Sequence, residues 1–219
     1  FGHPTYHGGI DAPQRFGSGS LTTLDVGNSY ARVDVAGFGA GISNQNIVWG
    51  PSLRNPLLLS ASAPGFPHVF VETSRPVDVW IGRLDAQLLW GRLAESDYFD
   101  DEPDNDVRVI AGLLVALHPR GLDGLSIGGA RAQLLTYWPE LSLADAFLNP
   151  YRGVTSNPGG RSGDNQLLTF FFRWASASGG LEVFGEWARD DHWGDAMGLL
   201  RNLDSSQAWT IGLQKLVER

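Results

Sequence analysis

Apolar and polar residues alternate with period 2 along most of this chain, the spacing that sends successive side chains to opposite faces of a β-strand. Val77, Val79 and Ile81 alternate with Asp78, Trp80 and Gly82, and the pattern continues as Leu84, Ala86 and Leu88 against Arg83, Asp85 and Gln87. Val107, Val109, Ala111, Leu113, Val115 and Leu117 make one face of the next stretch; Leu168, Phe170, Phe172 and Trp174 make one face of another. Leu181, Val183 and Trp187 oppose Glu182, Glu186 and Asp190, and Trp209, Ile211 and Leu213 oppose Thr210 and Gln214. The periodicity predicts about eight strands, over 29–38, 67–73, 77–91, 107–118, 123–136, 165–175, 180–190 and 206–217. Short helical turns are expected near 141–148, where Ser142 can cap, and near 195–202.

Several of these strands exceed the usual length of about five or six residues and suit a tilted crossing of a bilayer. Their connections alternate. Short ones near 74–76, 119–122 and 176–179 carry Pro or Gly turn residues, and long ones run over 39–66, 92–106, 137–164 and 191–205. Outer-membrane barrels have this asymmetry, with tight turns at one rim and long loops at the other. One face of most strands is apolar. The other is read as carrying Arg32, Asp34, Arg83, Asp85, Gln87, Arg108, Arg131, Gln133, Glu182, Glu186 and Asp190, a two-signed wall suited to a wet barrel interior. Trp90, Trp138, Trp174, Trp187 and Trp209 fall near strand ends, where an interfacial aromatic belt belongs. The expected fold is all-β: a partial antiparallel transmembrane β-barrel with long external loops and short helices. It is read as one domain, with 1–28 an irregular lead-in and 29–219 the strands and loops. A soluble β-sandwich with Trp in its core is the competing architecture.

Composition narrows the function. The 219 residues carry a net charge of −8, which argues against a nucleic-acid surface. There is no Cys, so thiol chemistry and zinc-thiolate sites are excluded, and Lys215 is the only Lys among 16 basic residues. No apolar run is long enough for a membrane-spanning helix.

Two segments concentrate chemistry. The first runs Gln45-Asn46-Ile47-Val48-Trp49-Gly50-Pro51-Ser52, then Asn55-Pro56-Leu57-Leu58-Leu59-Ser60. Trp-Gly-Pro makes a rigid aromatic turn. Around it, Gln45, Asn46, Ser52, Arg54 and Asn55 offer the amides, hydroxyl and guanidinium that sugar hydroxyls require beside a ring. From spacing alone, packing folded into a barrel mouth is the better reading of the same loop. The second is Gly185-Glu186-Trp187-Ala188-Arg189-Asp190-Asp191-His192-Trp193. Glu186 and Asp190 share a strand face, but residues four apart lie about 13 Å apart, wide of glycosidase carboxylate pairs, so pairing with lumenal Arg is the better reading. The acids Glu95, Asp97, Asp100, Asp101, Glu102, Asp104 and Asp106 read as a solvated loop, with Ca²⁺ as the alternative. His3 and His7 lack a recognisable metal spacing. No nucleophile–base motif stands out, so no catalytic residues, cofactor or metal are expected.

The stretch Gln45 to Ser60 with Trp49-Gly50-Pro51 resembles the W-G-P region of the Wzi family of capsule-assembly outer-membrane proteins. Gly185 to Asp191 resembles a later strand of that family, and the resemblance runs from about residue 29 onward. It implies a large bacterial outer-membrane β-barrel that is not an enzyme. Such a barrel acts as a surface lectin binding capsular or exopolysaccharide, its partners being that polymer and outer-membrane lipid. The binding residues expected on that reading are Gln45, Asn46, Trp49, Arg54 and Asn55 in the loop. Arg83, Arg108, Arg131, Glu186 and Arg189, with Arg32, are expected on the wall. Arg suits carboxylates because its fork is planar and bidentate. Eight strands are few for that family, and the chain ends Leu216-Val217-Glu218-Arg219 without a terminal aromatic, so a fragment of a longer barrel is expected, with two open edges and an aggregation-prone apolar face. A porin-like channel for sugars or small solutes is the alternative function.

Overall fold

The computed structural model describes residues 22, 26–61, 63–94, 106–135, 165–176, 178–190 and 207–217. They form one antiparallel sheet of ten strands. These are β1 (Tyr30–Val35), β2 (Phe38–Ser43), β3 (His68–Thr73), β4 (Val77–Val79), β5 (Gly82–Ala94), β6 (Val107–Pro119), β7 (Leu125–Leu135), β8 (Asn165–Ser176), β9 (Leu181–Asp190) and β10 (Gln207–Lys215). The order across the sheet is β1-β2-β3-β5-β6-β7-β8-β9-β10, with β4 also paired to β5. The sheet is open: among the described residues β1 and β10 do not pair with each other. No helix occurs among the described residues, and the helical turns expected near 141–148 and 195–202, like Trp138 and most of the acidic run, fall outside them. The short helices are thus not borne out.

Two expected strands divide. The strand expected over 29–38 turns back on itself, because Ala36 (φ 53°) and Gly37 (φ 90°) both adopt left-handed backbone. Two such residues in a row make the tight hairpin turn that matches strand twist, and Phe38–Ser43 returns along Tyr30–Val35 with Val35 opposite Phe38. The strand expected over 77–91 breaks at Trp80 and Ile81, so that β4 folds onto the first residues of β5 as a second tight hairpin. The Pro76 region is then a bend rather than a hairpin turn. β3 and β4 lie end to end along the same edge of β5, Glu72 opposite Gln87 and Val77 opposite Leu84. Where the β3 ladder stops, the Thr73 hydroxyl accepts the Ala86 N–H at 3.1 Å, so the backbone donor is not orphaned by the bend.

The register sorts side chains to faces without reference to their chemistry. One face carries Val33, Val35, Phe38, Ile42, Val69, Val71, Leu88, Leu113, Ile127, Phe170, Phe172, Trp174, Val183, Trp187, Trp209, Ile211 and Leu213. Much of it is bare: Ile211 is 81% exposed, and Val33, Trp209 and Leu213 are each 68% exposed. Phe170 stacks on Trp187 at 5.8 Å, and Trp187 leans on Trp209 at 5.9 Å. The opposite face carries Arg32, Asp34, Glu72, Asp85, Gln87, His118, Ser126, Arg173, Glu182 and Glu186. It is called the inner face below, because the loop between β2 and β3 folds onto it.

Three residues expected on the polar wall lie on the other face. Arg131 stands opposite Leu113 and Leu168, Gln133 opposite Ala111 and Gln166, and Arg189 opposite Leu168 and Gln207. Each is an odd-numbered position in a strand whose inward residues are even, so polarity misassigned them where parity does not. They are buried, and with Gln166 and Gln207 they form a polar row that ends the apolar field toward the long connections of β7 to β10.

The packed core sits on the inner face. Trp49, Phe70, Leu89, Ile110, Ala130 and Ala132 form it, with Ile47, Leu58, Leu59 and Phe66 from the loop packed against it.

Candidate functional site

The loop from Asn44 to Pro67 owes its position to one aromatic wedge and two close approaches. Trp49 is 2% exposed, and its ring rests where a Cβ on Gly112 would otherwise stand, 2.6 Å from that position. Only a glycine at 112 admits the ring onto the sheet. Trp49 also bridges to Leu59, its N–H donating to the Leu59 carbonyl at 3.1 Å, which closes the loop into a short flap. Gly50 (φ 124°) is required twice: its backbone is in the left-handed region, and Glu186 Oε1 occupies the space a Cβ would need. The neighbouring Glu186 Oε2 accepts the Leu57 N–H at 2.9 Å. Glu186 is thus the clasp of the loop. The expected pairing of Glu186 with a lumenal Arg is not what forms; its carboxylate satisfies loop backbone donors that burial would otherwise strand.

A relay of side chains ties the wedge to the sheet edge. Trp49 Nε1 donates to Gln87 Oε1 at 2.6 Å, and Gln87 Nε2 donates to Glu72 Oε2 at 2.6 Å. Glu72 Oε1 accepts from Arg32 Nη1, and Arg32 Nη2 donates to Asp34 Oδ1 at 2.7 Å. Each link joins a donor to an acceptor in one sense only: the indole can only donate, the carboxylates can only accept, and the amide serves both ends. The relay crosses four strands' width of inner wall and leaves the Trp49 nitrogen paired although the ring is buried.

The other residues expected to bind scatter along this loop and wall. Asn46 Nδ2 donates to the Ala63 carbonyl at 2.9 Å, and the Gln45 N–H to the Ser43 hydroxyl at 2.9 Å, so both anchor the loop locally. Arg54 and Asn55 stand exposed at its tip. Arg83 is exposed on the inner wall near the tight turns; Arg108 is half-buried on the inner wall near the long connections. Arg131 donates from Nη2 to Gln166 Oε1 at 2.8 Å on the far face and, with Arg189, is separated from the loop by the sheet itself. Trp49 is therefore a wedge rather than an open stacking platform. Between the flap and the sheet, a cleft of about 690 Å³ opens toward the long connections, lined among others by Asn46, Ser60, Phe66, Arg92, Leu93 and Asn165.

No family model matches the chain, and no curated protein or solved structure matches it.

At the opposite end of the inner wall, by the tight turns, the sheet brings together a group that no sequence motif announces. His118 Nε2 lies 2.7 Å from Asp85 Oδ2, and His118 Nδ1 lies 2.8 Å from Ser126 Oγ. Parity alone would have found it. Asp85 and His118 are inward positions on neighbouring strands, and Ser126 is the first inward position after the turn that follows His118. On the next strand, Arg173 pairs with Glu182 through Nε at 2.9 Å and Nη2 at 2.7 Å. No cluster of three or more metal-ligating side chains occurs among the described residues.

Proposed function

We propose that this chain is part of a bacterial outer-membrane β-barrel that holds capsular or exopolysaccharide at the cell surface. The observation that carries the membrane part is the bare apolar field on one face of a sheet whose other face holds ion pairs. In water that field forfeits about 25 cal/mol for every Å² left wet, whereas lipid accepts it without loss. Strand length agrees. β5 to β10 run 9 to 13 residues, and tilted strands of about 9–11 residues cross a bilayer. The field also slants. It occupies Ala31 to Val35 on β1 but Trp209 to Leu213 on β10, positions two rows apart when followed across the register, as expected of strands inclined to a membrane plane.

The polysaccharide part rests on the flap and its cleft at the long-connection end, together with the resemblance of Gln45 to Ser60 to the Wzi family. Asn46 and Asn165 offer amides, Arg92 a guanidinium and Phe66 a ring in the cleft at the mouth that faces outside if the tight turns face the periplasm, and Arg54 and Asn55 stand exposed at the flap tip. Binding there holds the polymer without cutting it. The test is deletion of the gene followed by measurement of cell-bound against released surface polysaccharide. Retention predicts unchanged total polymer with a larger released fraction; an unchanged partition sinks the reading. A porin-like channel draws support from the two-signed wall, Arg32 with Asp34 and Arg173 with Glu182. Against it, the flap fills the inner face. Single-channel conductance in a planar bilayer separates the two.

A further inference from the structure

Asp85, His118 and Ser126 lie in series across β5, β6 and β7, joined by hydrogen bonds of 2.7 and 2.8 Å. The order fixes the proton. A carboxylate only accepts, so in the neutral imidazole the Nε2 facing Asp85 carries the hydrogen and the Nδ1 facing Ser126 is the bare nitrogen. That is the state a general base needs beside a hydroxyl, with the third group holding the ring. Which ring nitrogen faces which partner is immaterial, because the requirement is one nitrogen bare and the other held. Asp85 is steadied in turn by the Thr73 hydroxyl at 3.4 Å. The His118 and Asp85 side chains are each about one-third exposed, 32% and 33%, so the group opens to solvent on the inner face.

We propose that Ser126, His118 and Asp85 form an ester-hydrolysing site at the tight-turn mouth, acting on short-chain carboxylic esters of a polar alcohol such as an O-acylated sugar. The proposal does not depend on polysaccharide binding at the other mouth. Ser126 Oγ attacks the ester carbonyl carbon and passes its proton to His118 Nδ1. The tetrahedral species collapses with cleavage of the bond to the alcohol, which leaves with that proton. A water then gives a proton to Nδ1 and attacks the acyl-serine; the carboxylic acid departs and Oγ regains its hydrogen. Asp85 stabilises the imidazolium at each transfer. Arg173, directly across from Ser126 in the register and braced by Glu182, supplies the positive charge for the oxyanion. The substrate class follows from the surroundings. The apolar surface beside Ser126 is small, the Phe171 ring over Gly128 and the Ala116 methyl, which suits an acetyl-sized acyl group. Around it stand Arg83, Asp78, Arg173 and Glu182, which suit a hydroxylated leaving group.

The test uses the protein folded into detergent micelles, with β content checked by circular dichroism. It is exposed to a fluorophosphonate probe and the adduct is mapped by peptide mass spectrometry. The expected result is an adduct on Ser126, absent in Ser126→Ala and formed at least about 100-fold more slowly in His118→Gln, the loss typical of removing a general base. His118→Asn replaces His118→Gln if the latter loses the wild-type spectrum. Hydrolysis of 4-nitrophenyl acetate should fall with the same variants. A folded protein with no adduct on Ser126, or one whose His118 variant labels at the wild-type rate, overturns the proposal and leaves the three residues as a wall hydrogen-bond ladder. Turnover of 4-nitrophenyl palmitate as fast as the acetate overturns the short-acyl assignment.

Discussion

The two faces of this sheet solve the same problem by opposite means. Each strand sends every second residue to either side, so the two faces have equal numbers of positions. The inner face brings its own cover: a single loop lays Trp49, Leu58, Leu59 and Phe66 over Phe70, Leu89 and Ile110. Below that cover its wall is polar and carries ion pairs, Arg32 with Asp34 and Glu72, Arg173 with Glu182. The outer face, among the described residues, is mainly aromatic and aliphatic apart from the row holding Arg131, Gln133 and Arg189, and leaves many of these side chains bare. On the proposed membrane reading, a solvent that hydrates one face and dissolves the other accounts for both.

The contrast can be broken most sharply at the wedge. Trp49→Ala empties the centre of the inner core and should cost about 3–5 kcal/mol of unfolding free energy, as large-to-small changes of buried aromatics do. Urea titration in micelles would measure it, and a loss under about 1 kcal/mol would mean the flap does not pack on the sheet. Next is a charge on the outer face. Phe172→Arg, where the ring lies over Gly185, should cost about 2–4 kcal/mol in lipid. The same change at Gln214, inward on β10, should cost far less. Equal costs in lipid vesicles would erase the distinction between the faces. Gln87→Leu tests the relay: it leaves the Trp49 indole N–H buried without its acceptor, worth about 1–3 kcal/mol. The smallest effect belongs to Arg173→Ala, which removes an exposed pair worth under about 1 kcal/mol, although the same variant should slow any acylation of Ser126.

Much of this was legible in the alternation. The strands from Val107 to Lys215 stand within a few residues of where period 2 puts them, because each has one side that is apolar over most of its length. What escaped had physical reasons. Phe38–Ser43 contains Gly39 and Gly41, which read as loop; they are strand glycines because the Arg32 guanidinium and the Phe70 ring lie across them. The break at Trp80 was marked by a change of phase, the apolar positions being odd through Val77, Val79 and Ile81 and even through Leu84, Ala86 and Leu88, but the two runs read as one strand. Arg131 and Arg189 were sorted by chemistry, yet a strand allots faces by parity, and a buried guanidinium on the apolar side is invisible to any rule that assumes polar means inward. The flap residues were recognisable as a unit, but Glu186 as their clasp was not, since nothing local in Gly185-Glu186-Trp187 records a loop that far upstream.

The pairing order carries a kinetic consequence. Apart from the short β4, each strand pairs with its neighbours in the chain, so the sheet can grow by successive local hairpins, the kind of topology whose loop-closure cost is paid in small instalments. The clasp does not fit that schedule: Leu57 reaches Glu186 across 129 positions of sequence. The clasp therefore has no partner until β9 has been laid down. The flap cannot be clasped before then, so its fastening reports that the sheet has been assembled at least as far as its ninth strand.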